Sequence, residues 1–208
     1  MSARRVEEMS NDGGNARDDL RGRIMREATS MFAEEGFERT SIRGLAERCQ
    51  CTKPALYYYF RNKDALFVEV VAHQVNKVKA MMESSLGGAG TLRVRLNAGI
   101  HNLVAYARDD ADGLRLLHRV PLHPEGTPED AERQLNALRE LHMRALVTMF
   151  EHGIRDGEVR ATLSATDCAV AFAGALDYQL QRWLRDESVS LTGLESVVAL
   201  LFEGMNPC

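Results

Sequence analysis

The stretch Thr52–Phe60, TKPALYYYF, restricts what this chain can fold into more than any other. Thr52 is an N-cap candidate and Pro54 falls in the first turn, where a missing backbone N–H is no loss, so a short helix should run from Lys53 to about Phe60. Tyr57, Tyr58 and Tyr59 sit on it in a row, and three neighbouring helical positions cannot all face one core. At least one ring must point outward. Just upstream, Ile42, Leu45 and Ala46 recur at helical spacing behind an N-cap supplied by either Thr40 or Ser41, with Arg43 and Arg48 off the apolar stripe. Two short helices joined through Cys49-Gln50-Cys51 make a helix-turn-helix. Outward tyrosines beside Lys53, Arg61 and Lys63 suit phosphate oxygens and thymine methyls in a major groove. On its own the pattern also fits a small helical hairpin with an aromatic packing surface.

The order Phe32, Gly36, Phe37, Thr40, Ser41, Ile42, Leu45, Ala46, Lys53, Leu56, Tyr57, Tyr58, Tyr59, Phe60, Lys63 separates these readings. It resembles the DNA-binding signature of the TetR/AcrR family of one-component transcriptional regulators over about Leu20 to Phe67. Two positions depart from the family pattern: Gln50 stands where the turn usually has Gly, and Cys51 where a branched apolar residue is usual. If Gln50 needs positive φ, the cost is of order 1 kcal/mol, and Cys51 serves as a small hydrophobe. The resemblance implies that Arg43, Lys53, Pro54, Ala55 and Tyr58 approach base edges, while Thr52, Tyr57, Tyr59 and Lys63 hold phosphates. Tyr57 is equally suited to packing against Phe37 and the first helix.

Charge distribution agrees. The net charge of −4 is unevenly spread: Arg17 to Lys63 holds ten basic and seven acidic residues, Asp64 to Cys208 fourteen and twenty. A basic head on an acidic body suits a protein whose head alone meets DNA. Apolar runs are broken by charges well short of the roughly 18 residues a membrane span needs. The start, MSARRVEEMSNDGG, has no apolar core, so neither span nor signal peptide is expected and the cytoplasm is the natural compartment. Cys49, Cys51, Cys168 and Cys208 lack paired metal spacing and are packing residues first, with a Cys49/Cys51 redox pair as the alternative. His118 and His123 have no carboxylate or Cys at useful sequence spacing, so no metal site is expected. No cofactor motif and no catalytic motif is present, and the chain does not read as an enzyme.

With 45% apolar and only 6% aromatic residues, the expected fold class is all-α. It divides into a disordered tail (1–18), a three-helix helix-turn-helix head (19–66) and a helical ligand-binding and dimerisation body (67–208). Helices are expected at Leu20–Glu35, Lys63 to about Ser85 with Asn62 as cap, Thr91–Arg108, Asp112–Val120, Pro128–His152, Ala165–Arg185 and Thr192–Phe202. Gly87, Gly88 and Gly90 should break the chain after the long linking helix, and Pro121 to Pro128 should be a loop, which in the resembling family borders a ligand pocket.

The last two helices carry more apolar surface than one core needs, which points to a homodimer through Ala169, Phe172, Ala173, Leu176, Leu180, Val197 and Leu201. Candidate ligand contacts are the polar or aromatic members of apolar helices: His101, Tyr106, His118, His142, Met143, Phe150, Phe172, Tyr178 and Trp183. The resulting reading is a repressor that leaves a pseudo-palindromic double-stranded DNA operator when a small-molecule effector binds. Two alternatives stay open at this stage: a helical ligand carrier or scaffold without DNA binding, and a DNA binder under no small-molecule control.

Overall fold

Polar side chains at helix N-termini divide this chain into its elements. The computed structural model describes the backbone of residues 3–86, 90–122, 126–186 and 188–205, and the side chains of 19–84, 90–120, 126–186 and 188–203 other than 192 and 195. The described residues form helices α1 (Ala3–Glu35), α2 (Ile42–Arg48), α3 (Lys53–Tyr59), α4 (Lys63–Leu86), α5 (Leu92–Asp109), α6 (Ala111–Leu122), α7 (Glu129–Arg155), α8 (Ala165–Arg185) and α9 (Thr192–Met205), with no strand among them. Ser41, rather than Thr40, caps α2 by accepting the Gly44 N–H at 3.0 Å. Thr52 caps α3 on Ala55 at 3.3 Å, and Asn62 caps α4 on Ala65 at 2.7 Å. Each such cap satisfies an N–H that the helix itself leaves open, worth about 1 kcal/mol.

Two apolar clusters organise the packing. The first joins Ile24, Ala28 and Phe32 of α1 to Leu45 of α2, Leu56 of α3 and Phe67 and Val70 of α4. Phe67 meets both Phe32 and Phe37 edge-on at 4.9 Å, so the two phenylalanines that flank Gly36 in the signature lie at the centre of the head. The same cluster continues into Leu116, Leu117 and Val120 of α6 and Leu135 and Leu138 of α7. Helix α4 therefore crosses the division expected between 66 and 67 without interruption, and α6 lies against α1. The second cluster gathers α5, α7, α8 and α9 around Ile100, Phe150, Phe172, Leu180, Trp183 and Leu194.

A buried polar junction ties α4 to the α5–α6 corner. Tyr106 donates to Gln74 Oε1 at 2.9 Å, Lys77 Nζ donates to Asp110 at 2.7 Å, and the Gly113 N–H donates to Asp110 Oδ1 at 2.8 Å. A side chain at Gly113 has no room, since a Cβ there would stand 2.5 Å from Gln74 Oε1 and 2.7 Å from Asp110 Oδ1. Burial raises the Asp110 pKa, but the Lys77 and Gly113 hydrogen bonds, the Lys77 charge and Gln74 together hold it below the usual carboxylate range.

Some boundaries differ from expectation. Helix α1 starts at Ala3 rather than Leu20, so the backbone of 3–18 is helical where a disordered tail was expected; Ala, Arg, Glu and Met in its first turns favour that state. Helix α6 carries through Pro121 to Leu122, because proline in a last turn forfeits only one hydrogen bond. Gly90 has φ +120 after the linking helix, whereas Gly87, Gly88, His123 and Cys208 lie outside the described residues.

Candidate nucleic-acid interface and ligand cavity

The turn before α3 has the form that its sequence least favours. Gln50 adopts φ 50, the left-handed region that glycine occupies without strain. Its N–H donates to Glu47 O at 3.1 Å and the Cys51 N–H to Ala46 O at 2.9 Å, the paired bonds of a Schellman ending. Cys51 is half-buried in the head core and Cys49 fully buried, where burial pushes its thiol up to about 11. A thiol so raised is a poor nucleophile, which argues against a redox role for the pair.

This turn presents one polar face of α2 and α3. Tyr58 is 72% exposed and Tyr57 47%, while Lys53 and Pro54 are open to solvent and Ala55 is half-buried. Thr52 is exposed too; its oxygen is engaged as the α3 cap, leaving its O–H to donate outward. Arg43 projects from α2 and rests on Glu47 at 2.9 Å, an exposed pair of small worth that a phosphate or base edge can displace. Tyr59 is half-buried against the head core and edge-on to Tyr58 at 5.1 Å, so it supports Tyr58 more than it reaches outward. Arg61, which sequence reasoning noted only as a neighbour, is exposed beside them.

Lys63 is placed otherwise than expected. Its ammonium donates to the carbonyls of Phe37 at 2.9 Å, Glu38 at 3.3 Å and Thr40 at 3.4 Å, and lies 4.3 Å from the centre of the Phe37 ring. Three donors on three carbonyls leave none for a phosphate. Lys63 instead pins the α1–α2 turn to the start of α4.

In the body a cavity of about 530 Å³ opens between α4, α5, α6, α7 and α8, within the range of small-molecule sites. Of the candidate ligand contacts, His118, His142 and Phe172 line it. His142 lines the cavity while remaining exposed, and desolvation holds its pKa below the ordinary histidine value. His118 Nδ1 lies 3.3 Å from Asp177 Oδ1, and this hydrogen bond holds Asp177 below the usual carboxylate range. Gln181 donates to the other Asp177 oxygen at 2.7 Å, and Arg139 adds its charge nearby. Sequence reasoning missed Arg95, Arg139, Asp177 and Gln181, since such charged and polar residues on amphipathic helices read as a solvated face.

The other candidates lie elsewhere. Tyr106 is buried and already bonded to Gln74, its phenol pushed well up by burial. Phe150 and Trp183 are core residues, with Phe150 tilted edge-on to Phe172 at 6.2 Å, and Met143 packs at that core's margin. His101 is exposed beside Asn97 O at 2.8 Å, and Tyr178 is 60% exposed. Residues 126–128 of the proline-rich loop also stay away from this cavity: Gly126 comes against Glu38, and Pro128 borders a depression with Arg61 and Asn62.

The expected dimer residues mostly turn inward. Ala169, Phe172, Leu176, Leu180 and Val197 are buried in their own chain's core, and Ala173 and Leu201 are half-buried. The face of α8 that remains open carries Val170, Gly174 and Tyr178 one helical turn apart, with Leu200 exposed on α9. No helix among the described residues is long and apolar enough to cross a membrane.

The family described as "Bacterial regulatory proteins, tetR family" matches residues 24–70, which hold the whole helix-turn-helix. The transcriptional activator FasR of Mycolicibacterium smegmatis is 27% identical over 111 residues, 50% of this chain and 51% of that protein, so the chain spans about half the length of this relative. The fatty acid metabolism regulator protein of Bacillus subtilis is 20% identical over 185 residues, 88% of this chain and 94% of its own length. Among solved structures, the MbdR regulator of Azoarcus superposes with a TM-score of 0.80 at 20% identity, covering 90% of this chain and all of that one. FadR of Bacillus subtilis in complex with stearoyl-CoA gives 0.70 at 18% identity, covering 88% of this chain and 98% of its own. At such identities the superpositions establish the fold, and the family match establishes the head: residues 24–70 carry the helix-turn-helix of bacterial regulatory proteins of the tetR family.

Proposed function

We propose that this regulator acts as a homodimeric repressor that holds a two-fold symmetric DNA site and lets go when a small effector fills the cavity of the body. The observation that carries the DNA side is the exposure of Tyr57 and Tyr58 next to Lys53, Thr52 and Arg43 on one face, two large aromatic rings left open to solvent beside cationic and hydrogen-bonding groups. In this reading Arg43, Lys53, Pro54, Ala55 and Tyr58 meet base edges, and Thr52, Tyr57 and Arg61 meet phosphates. The open α8 face of Val170, Gly174 and Tyr178, with Leu200, is the surface for a second copy. A dimer sets two α3 helices at the spacing of a pseudo-palindrome. Such a protein works where its DNA lies, in the cytoplasm.

Effector and DNA are linked through α6. His118 lines the cavity, while Arg119, the next residue, donates to the carbonyls of Ala33, Glu34 and Glu35 at 3.1 to 3.3 Å, where α1 ends. A displacement of α6 by ligand is thereby passed to the head. The effector need only favour the DNA-incompetent arrangement by about 3 kcal/mol to lower operator occupancy by two decades.

The test is selection of bound sequences from random duplex DNA, with the natural protein and with Tyr58→Ala. Enrichment of a symmetric motif that the variant loses is expected. Failure of both proteins to enrich any sequence, at low salt as well as high, would end the DNA-binding reading.

A further inference from the structure

The cavity separates its chemistry into two parts. Its walls are mostly leucine, isoleucine and methionine, with Met81, Met82 and Met149 able to reshape around a flexible guest. Each methylene buried there raises affinity about fourfold. Four of the polar groups, His118, Asp177, Gln181 and Arg139, belong to one network, and His142 lies one turn further along α7 from Arg139.

The balance of charge in that lining is positive, two arginines against one carboxylate. Both Asp177 oxygens already have partners, in His118 at 3.3 Å and Gln181 at 2.7 Å. Arg139, by contrast, rests on the neutral Asn136 Oδ1 at 3.3 Å. A ligand anion would give its guanidinium a stronger, charge-assisted and two-pronged partner. A cationic head would face Arg95 and Arg139 and find the one acid committed.

We infer that the effector is an anionic amphiphile, an acyl-like chain lying along the apolar walls with its negatively charged head held by Arg139 at the His118, Asp177 and Gln181 end of the cavity. The inference rests on the reading of this cavity as the effector site. A free carboxylate and a thioester of coenzyme A share that chemistry, and FadR of Bacillus subtilis was crystallised with stearoyl-CoA.

The test uses four probes of one chain length, each below its micelle concentration: dodecanoate, dodecanoyl-coenzyme A, dodecanol and dodecyltrimethylammonium. Binding to the full chain is followed by calorimetry. At least one anion should bind about tenfold or more tightly than dodecanol, with the cation weakest. Arg139→Gln should abolish the preference while leaving dodecanol within about twofold, and Arg139→Lys, which keeps the charge but not the two-pronged fork, should retain only part of it. The better of the two anions identifies the source. Equal or tighter binding of the cation, an anion preference untouched by Arg139→Gln, or no binding of either anion would overturn the inference. Binding of an anion that leaves the DNA complex intact would sustain the ligand class and instead overturn the release mechanism.

Discussion

The head and the body of this protein are built from the same material, amphipathic helices, yet they expose different things. On α3 the open residues are Lys53, Pro54, Tyr57 and Tyr58, mostly polar or amphipathic groups that can trade water for nucleic acid. On α8 one open stripe is Val170, Gly174 and Tyr178, with Ala171 beside it and charged Asp167 and Asp177 at its edges, the surface proposed for a second copy. Interior polar groups differ too. The head uses buried polarity to fix its turns, as Thr40 does by donating to Gly36 O at 2.8 Å and Lys63 to three carbonyls. The body keeps polar groups along a cavity and at the α4–α5–α6 corner, where a change of partner would move a helix.

Breaking the open α8 face should have the largest effect. Val170→Glu places a charge on this face and should convert the proposed dimer to monomer, lowering operator affinity by about two decades or more as the two heads lose their link. Sedimentation together with DNA titration reads both, and an intact dimer would place the interface elsewhere. Next comes Lys63→Ala. Loss of three charged hydrogen bonds and the Phe37 contact should cost about 2 kcal/mol in denaturant unfolding, with the salt slope of DNA binding by the folded protein unchanged. A flattened slope at unaltered stability would instead return Lys63 to the phosphates.

The corner of the body answers to a smaller change. Gly113→Ala should destabilise by about 1–3 kcal/mol, because the new methyl displaces Gln74 and Asp110. Asp110 also sets a pH dependence: its pKa is lower folded than unfolded, so its contribution is present above the ordinary carboxylate pKa and lost as pH falls through the lowered one. Lys77→Ala should weaken that acid sensitivity, as thermal melts between pH 3 and 7, roughly the carboxylate range and above, would show. Smallest is Gln50→Gly. Relief of the left-handed strain should outweigh the added freedom of the unfolded chain and stabilise the head by about half a kcal/mol. A loss of stability would mean that the Gln50 side chain makes a contact worth more than the strain.

Much of the head was legible because its signals are local. Thr52 and Asn62 cap the helices they precede, Pro54 sits in the first turn of α3, and Gln50 takes the positive φ that its place in the turn suggested. Helix α8 begins and ends at Ala165 and Arg185 as its periodicity implies. Lys63 was misread because sequence supplies a cation but not the oxygens it meets; those belong to Phe37, Glu38 and Thr40, brought close only when α1 folds over α4.

By itself, then, the sequence determined the helices from Leu20 onward to within a turn and which face of each is apolar, though not the helical state of 3–18 or the run of α6 through Pro121, since capping, glycine conformation and 3.6-residue periodicity act within a few residues. Only the tertiary structure decided which apolar face of α8 is core and which is open, and that His118, Arg139 and Asp177, on three different helices, share one cavity. Those outcomes depend on how nonadjacent helices pack, and a helical stripe carries the same periodic signal whether it meets its own chain, a second copy or a ligand.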